Sequence, residues 1–190
     1  TALALAAFGA GSMLAALALP RILDHVPDRA VMLAAGTGLA VATLLAAALP
    51  SYGWLLPLWF VVGMGYSAAQ TPSGRLLRRS AHAEDRPAVF AAQFALSHAC
   101  WLLTYSIAGW TGARLGLPAT AAILAVIAGS AVLAAARLWP APDPEVLEHS
   151  HDGLPADHPH WNDGVAVGGR NPHVHAYVID DLHAAWPARR

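Results

Sequence analysis

Pro20-Arg-Ile-Leu-Asp-His-Val-Pro-Asp-Arg29 is a short charged island between two apolar runs, 1–19 and 30–49. Each run approaches the length a helix needs to cross a bilayer, since about 20 apolar residues at a rise of 1.5 Å cover a hydrocarbon core of about 30 Å. Read as spans, the two runs make the island a loop at one membrane face, and every later segment inherits a side from it. Three further apolar runs follow, over residues 54–72, 88–111 and 117–139, with a tight turn at Pro50-Ser-Tyr-Gly53 before the first of them.

Composition agrees with five spans. The chain has 190 residues, of which 56% are hydrophobic and 12% charged. A soluble domain carries about 25% charged residues, so half the usual charge is missing, and none of the 12 acidic residues falls inside an apolar run. The expected class is an all-helical integral membrane protein. A net charge of −1 gives no reason to expect a nucleic-acid partner. The single cysteine, Cys100, rules out an intrachain disulfide and reads as a small buried hydrophobe. Residues 1–19 have neither an initiating Met nor the basic start of a signal peptide. A chain opening inside a span reads as the continuation of something longer, a fragment whose N-terminal part is absent.

Arginine, the only basic residue type besides histidine, assigns the sides. Loop 20–29 carries Arg21 and Arg29, and loop 73–87 carries Arg75, Arg78, Arg79 and Arg86. The turn at 50–53 carries none, loop 112–116 only Arg114, and the tail opens after Arg137. Arginine excess marks the cytoplasmic side, which puts the first and third loops and the C-terminus inside. Pro72 and Gly74 are expected to stop the third span. Trp54, Trp59, Trp101, Trp110 and Trp139 lie near span ends, where interfacial anchoring accounts for them. Gly9-Ala-Gly11, Gly36-Thr-Gly38 and Gly63-Met-Gly65 are small-residue steps that let helix backbones approach closely.

A Gly-rich helix leading through Asp24 to Asp28 and Arg29 resembles the loop signature of the major facilitator superfamily, in a copy lacking the usual Gly before the final basic residue. The resemblance covers residues 1–139. It implies that the five spans are helices eight to twelve, that the missing N-terminal half is a partner, and that the bundle works by alternating access around a midplane site. Asp24, Asp28 and Arg29 then bias one packing of the helices, by pairing or by capping the positive end of the next helix; an ordinary solvated loop is the alternative. Loop 73–87 resembles the family's link between its tenth and eleventh helices, and a role in topology alone suffices for it. The resemblance further implies a small-molecule or ion substrate and a bacterial inner membrane with the C-terminus in the cytoplasm.

His98 is the only histidine inside a span, on Gln93-Phe-Ala-Leu-Ser97-His98. An ionisable group at that depth is costly and points to a pathway or proton relay; a neutral histidine bonded to a neighbouring helix is the other reading. Gln93, Ser97, Gln70, Tyr66, Tyr105 and Thr104 are the remaining candidates for lining a cavity. No phosphate-binding glycine loop, Cys-x-x-Cys, His-Glu-x-x-His or Gly-x-Ser-x-Gly occurs, so no enzyme is expected and no cofactor is required.

After Trp139-Pro-Ala-Pro-Asp-Pro144 the composition changes. Residues 140–190 hold eight of the 12 acidic residues and seven of the ten histidines. The tail is expected to be loosely ordered, with Val174–Ile179 strand-like and Asp181–Trp186 a helical turn. Its histidines fall in three His-x-His pairs, His149/His151, His158/His160 and His173/His175. In extended chain the two members of each pair face the same way, so each offers two imidazoles to one ion. Asp157, beside His158 and His160, completes the densest cluster, while Glu148, Asp152, Asp163, Asp180, Asp181 and His183 lie around the pairs. Imidazole with carboxylate suits Zn, Ni, Co or Cu(II). The tail also resembles the His-rich extensions of some metal-efflux members of the superfamily. The sequence thus leaves open a small-molecule exporter, a transition-metal efflux protein using its tail, a membrane scaffold that senses metal, and a merely solubilising tail.

Overall fold

The computed structural model describes residues 1–48, 51–139, 141–151, 154–155, 157–162, 164–166 and 173–186. Four helices make up the membrane part: α1 (Ala2–Leu23), α2 (Asp28–Ala48), α3 (Tyr52–Arg79) and α4 (Arg86–Leu138). Three of them, α1, α2 and α4, are long and apolar enough to cross a membrane. α3 carries Pro57, Pro72, Gln70 and three arginines along its length, which lowers its hydropathy. In space α3 lies between α1 and α2, and α2 lies between α3 and α4; α3 and α4 barely touch.

α1 and α3 cross at two reciprocal glycines. A Cβ on Gly11 would sit 2.0 Å from the Phe60 carbonyl oxygen, and one on Gly63 would sit 2.0 Å from that of Phe8. Only hydrogen fits there, so backbone meets backbone. In a lipid environment, where apolar burial between helices supplies little, such close packing is what holds two helices together.

The fourth and fifth expected spans are two arms of α4. At 53 residues, a straight helix would run about 80 Å, far beyond a hydrocarbon core of about 30 Å. Helical geometry is broken at Gly116, whose φ of 80° and ψ of 169° suit glycine. A Cβ on Gly112 would lie 3.8 Å from Thr120 Oγ1, whereas residues eight apart in a straight helix are separated by about 12 Å. The chain therefore turns back at Gly116, and the expected loop 112–116 shrinks to one broken residue. The second arm packs along α2, with Val132 against Gly36. The first arm is bare: within 86–115 only Thr111 is buried, and Cys100, expected to be buried, is exposed.

Pro72 and Gly74 do not end the third helix. α3 continues to Arg79, and the side chains around the proline accept the disruption: Thr71 Oγ1 donates to Ser67 O at 2.9 Å and Ser73 Oγ to Gln70 O at 2.6 Å. Pro72 itself is fully buried. The last turns of α3 are held by the ion pairs described below, so the loop before α4 is only residues 80–85.

The tail is not loosely ordered over its described residues, and the fold is not purely helical. Strands β1 (Val146–His149), β2 (Val165–Ala166) and β3 (His173–Ala176) form an antiparallel sheet in the order β1-β3-β2. A 3-10 helix, Pro159–Asn162, lies between β1 and β2. The strand anticipated at Val174–Ile179 is shorter and starts one residue earlier, and Asp181–Trp186 forms bends instead of a helical turn. Alternating histidines supplied the sheet with an inward face, a pattern whose cross-strand partner cannot be read locally.

Candidate metal centre

Sheet register assembles the site. His149 on β1 pairs directly with His173 on β3, and opposite residues of an antiparallel pair share a face. His175, two residues beyond His173, lies on that same face. His151 follows β1 with the same alternation, and the 3-10 helix brings in His160. His183 arrives from the far side through a turn built on Asp180, whose Oδ1 accepts the backbone N–H groups of Leu182 and His183, both at 2.9 Å.

The six imidazoles converge through Nε2. His160 Nε2 is 3.1 Å from that of His151, 2.9 Å from that of His173 and 3.3 Å from that of His175. His149 and His183 bring theirs to 2.9 Å. Two overlapping sets, His149/His160/His173/His175 and His149/His151/His160/His183, each keep all their donor atoms within 4.8 Å of one another. His160, His173 and His183 are buried.

The opposite ring nitrogens fix the tautomers. Nδ1 of His149 faces Leu147 O at 3.1 Å, that of His175 faces Ala176 O at 2.8 Å, and that of His183 faces Asp180 Oδ1 at 2.8 Å. A carbonyl or carboxylate oxygen can only accept, so each of these Nδ1 atoms carries a proton, which makes Nε2 the ligating nitrogen of the neutral ring. This is the outer-shell pattern of metal-ligating histidines. Burial pushes His149 down to about 4, assisted by the charges of His173, His175 and His183 and opposed by its bond to Leu147. Burial, then the neighbouring imidazoles, lowers His151 and His160 as well. Burial works against the Asp180 carboxylate, but its hydrogen bonds from His183 and Leu182 hold it below the usual carboxylate range. A ring nitrogen must be unprotonated to ligate a metal ion, and burial favours that form at His149, His151 and His160.

Of the metal-ligating candidates, His149, His151, His160, His173 and His175 meet here. His158 does not: its Nδ1 accepts the His160 backbone N–H at 3.2 Å. Asp157 is exposed, and Asp152 and Asp163 lie outside the described residues. His183 and its orienting Asp180 complete the centre. Their spacing, an Asp three residues before a His, was a visible signal, but the turn joining them to the pairs was not.

The tail is tied to the helix ends. Arg79, buried at the end of α3, donates from Nη2 to Asp143 Oδ2 at 2.6 Å. Trp139 Nε1 donates to the same oxygen at 2.9 Å. The Arg79 carbonyl accepts the Ile179 N–H at 2.9 Å, and its guanidinium lies 5.3 Å over the Trp186 ring. Arg75 makes a bidentate pair with the buried Asp28, its Nε 3.2 Å from Oδ2, and stands 3.7 Å from Glu145. Arg29 donates to Ala136 O in the last turn of α4 and to Trp139 O just beyond it, both at 2.9 Å. So Asp28 and Arg29 join three helices and the tail at one end of the bundle, whereas Asp24 is exposed. The segments that arginine placement put on one side do lie together.

The pathway candidates are not gathered. His98 donates from Nδ1 to Phe94 O at 2.8 Å and is flanked by Phe94 and Trp101. It lies with Gln93, Ser97, Thr104 and Tyr105 on the bare first arm of α4, while Gln70 and Tyr66 lie on α3. No hydrogen bond or ring contact joins the two groups among the described residues.

The Major Facilitator Superfamily model matches residues 1–173, from α1 to the start of β3. No curated protein and no solved structure matches the chain. Apolar helices of membrane-crossing length, glycine-mediated helix contacts and this match over most of the chain agree: the chain belongs to the major facilitator superfamily, a family of membrane transporters.

Proposed function

We propose that the chain is the helix-eight-to-twelve part of a secondary transporter that exports a transition-metal ion, with its tail binding that ion at the cytoplasmic face. The five crossings are α1, α2, α3 and the two arms of α4, and the partner is an N-terminal half of the same transporter. The observation that carries the reading is the convergence of six imidazole Nε2 atoms in the tail. Neutral imidazoles, carboxylate-assisted and partly buried, suit Ni, Co or Zn. The solubilising-tail reading gives no reason for that convergence, and a small-molecule exporter gives none for a metal centre.

Attachment of the tail supports a working role in transport. Asp143 and Glu145 precede β1, Ile179 follows β3, and all three engage the end of α3. Metal binding that orders β1 and β3 therefore bears on the Arg75–Asp28 and Arg79–Asp143 pairs. By linkage, any packing of the helices that favours the docked tail also favours the bound ion. Alternating access supplies such packings. His98, with Gln93, Ser97 and Tyr105, is the proton-coupling candidate of this reading, and Gln70 and Tyr66 are cavity-lining candidates.

Everted membrane vesicles from cells expressing the chain together with the N-terminal half of its transporter test this. Energy-dependent uptake of Ni, Co or Zn is expected, and His149→Ala/His160→Ala should abolish or blunt it. Vesicles that take up none of these ions would overturn the export reading. A His98→Ala protein with unchanged pH dependence would remove the proton-relay assignment alone.

A further inference from the structure

We propose that the tail holds one metal ion in either of two mutually exclusive four-histidine positions, a tight one and a standby one, which pivot on His149 and His160. The inference rests on the tail being a metal centre and concerns where in that centre the ion sits. His151 and His183 complete the tight position, and His173 and His175 complete the standby one.

Geometry divides the six imidazoles. Each four keeps its donor atoms within 4.8 Å of one another, and the six do not form one such group. Four nitrogen donors are what a tetrahedral ion takes, and with bonds of about 2.0–2.1 Å they stand about 3.4 Å apart. The widest pair in either four therefore closes by about 1.4 Å at most.

His149 belongs to both fours and can serve only one ion at a time. Its Nδ1 carries a proton and faces Leu147 O at 3.1 Å, so Nε2 is its one ligating nitrogen. Loading one position thus empties the other. An ion crossing between them exchanges two ligands and keeps His149 and His160, so it moves without being released to water.

The outer contacts rank the two positions. His183 donates from Nδ1 to the Asp180 carboxylate at 2.8 Å, and hydrogen bonds from His183 and Leu182 keep that carboxylate charged. In the other four, His175 has a neutral partner, Ala176 O, at the same distance. A charge-assisted bond is the stronger, and it makes the ring nitrogen at the metal more basic. The position with His183 is therefore the tighter. It is also the one tied to the membrane part. His183 lies in the segment between Ile179, whose N–H bonds to Arg79 O, and Trp186, whose ring lies beneath the Arg79 guanidinium. His173 and His175 lie on β3.

The experiment uses the full chain in detergent micelles, titrated with Co2+ and read by its visible absorption. One ion per chain is expected. His173→Ala/His175→Ala removes only the standby position and should hold Co2+ within about 3-fold of the parent's affinity. His151→Ala/His183→Ala should still bind one ion, about 10-fold or more weakly. His151→Ala/His175→Ala also removes two histidines but leaves three in each position, so it should bind about 10-fold more weakly again. Resistance of the tail to proteolysis checks folding, and His175→Ala and His151→Ala alone replace any double variant that fails it, with affinity unchanged in the first and lowered in the second. Two ions per chain, no binding by a folded His151→Ala/His183→Ala chain, or equal affinities in that variant and the crossed one overturn the two positions while leaving a metal centre in place. A folded parent chain that binds none of Co2+, Ni2+ and Zn2+ overturns the metal centre itself.

Discussion

Replacing Asp28 by Asn tests whether the charged island locks the helix ends. Asp28 opens α2, its side chain is 3% exposed, and it accepts two hydrogen bonds from Arg75. Removing one partner of a buried pair costs about 3–5 kcal/mol. Two features lower that figure. The Arg75 side chain is 32% exposed, so water screens it, and Glu145 at 3.7 Å offers it a second partner. Asn also keeps the shape and one acceptor, so a loss of about 2 kcal/mol is expected, together with a small loss from the negative charge at the helix N-terminus. For a chain of this size that corresponds to a fall in Tm of about 4–8 °C. Thermal unfolding in detergent should show it, and Arg75→Gln should cost a similar amount. The double variant should lose less than the sum, by about 1 kcal/mol or more. Strict additivity of the two single changes, or an Asp28→Asn protein as stable as the parent, would refute the lock.

Gly63→Ala puts a Cβ where 2.0 Å remains to the Phe8 oxygen; α1 and α3 must separate, and a loss of about 2–3 kcal/mol is expected in the same unfolding assay, whereas Gly9→Ala, with open space around it, should be neutral. Asp180→Asn weakens the hold on His183 Nδ1 and should cut metal affinity about 10-fold or more, while Asp157→Ala and His158→Ala leave it nearly unchanged; the reverse order would undo the donor assignment. Metal-free tail stability should depend on pH. His149 stays unprotonated down to about 4 in the folded tail but ordinarily titrates at 6.5. Between those values the unfolded chain binds more protons, so stability rises with pH; it is complete above 6.5 and falls as pH drops toward 4. Trp161, 5.1 Å from His173, supplies the fluorescence signal, and a signal flat across that window would contradict the burial of His149.

Much of the helical architecture was legible in the residues. Long apolar runs of Ala and Leu have no other stable conformation in lipid, because every backbone group must be bonded within its own segment. Ends were less legible. Pro72 looks like a stop, yet Thr71 and Ser73 hydroxyls bond to nearby carbonyls and Arg75 and Arg79 find partners beyond it, so the helix runs on to Arg79. Gly116 was visible as a glycine but not as the reversal of α4, since a positive φ leaves no trace in hydropathy.

The centre was legible by pairs. His-x-His spacing showed that each pair faces one way, and five of the six converging imidazoles follow from it. Register was hidden: His149 opposite His173 is a contact between residues far apart in sequence. His183 depends on a turn held by Asp180, and Asp157 and His158 precede the 3-10 helix, outside the converging group, with His158 Nδ1 accepting the His160 N–H.

Metal binding by the full chain is the most direct test. Equilibrium dialysis in detergent near neutral pH should show one Ni2+ per chain at micromolar or lower free concentration, and none after His149→Ala/His160→Ala. A folded parent chain that leaves Ni2+, Co2+ and Zn2+ equally distributed across the membrane of the dialysis cell would contradict the account.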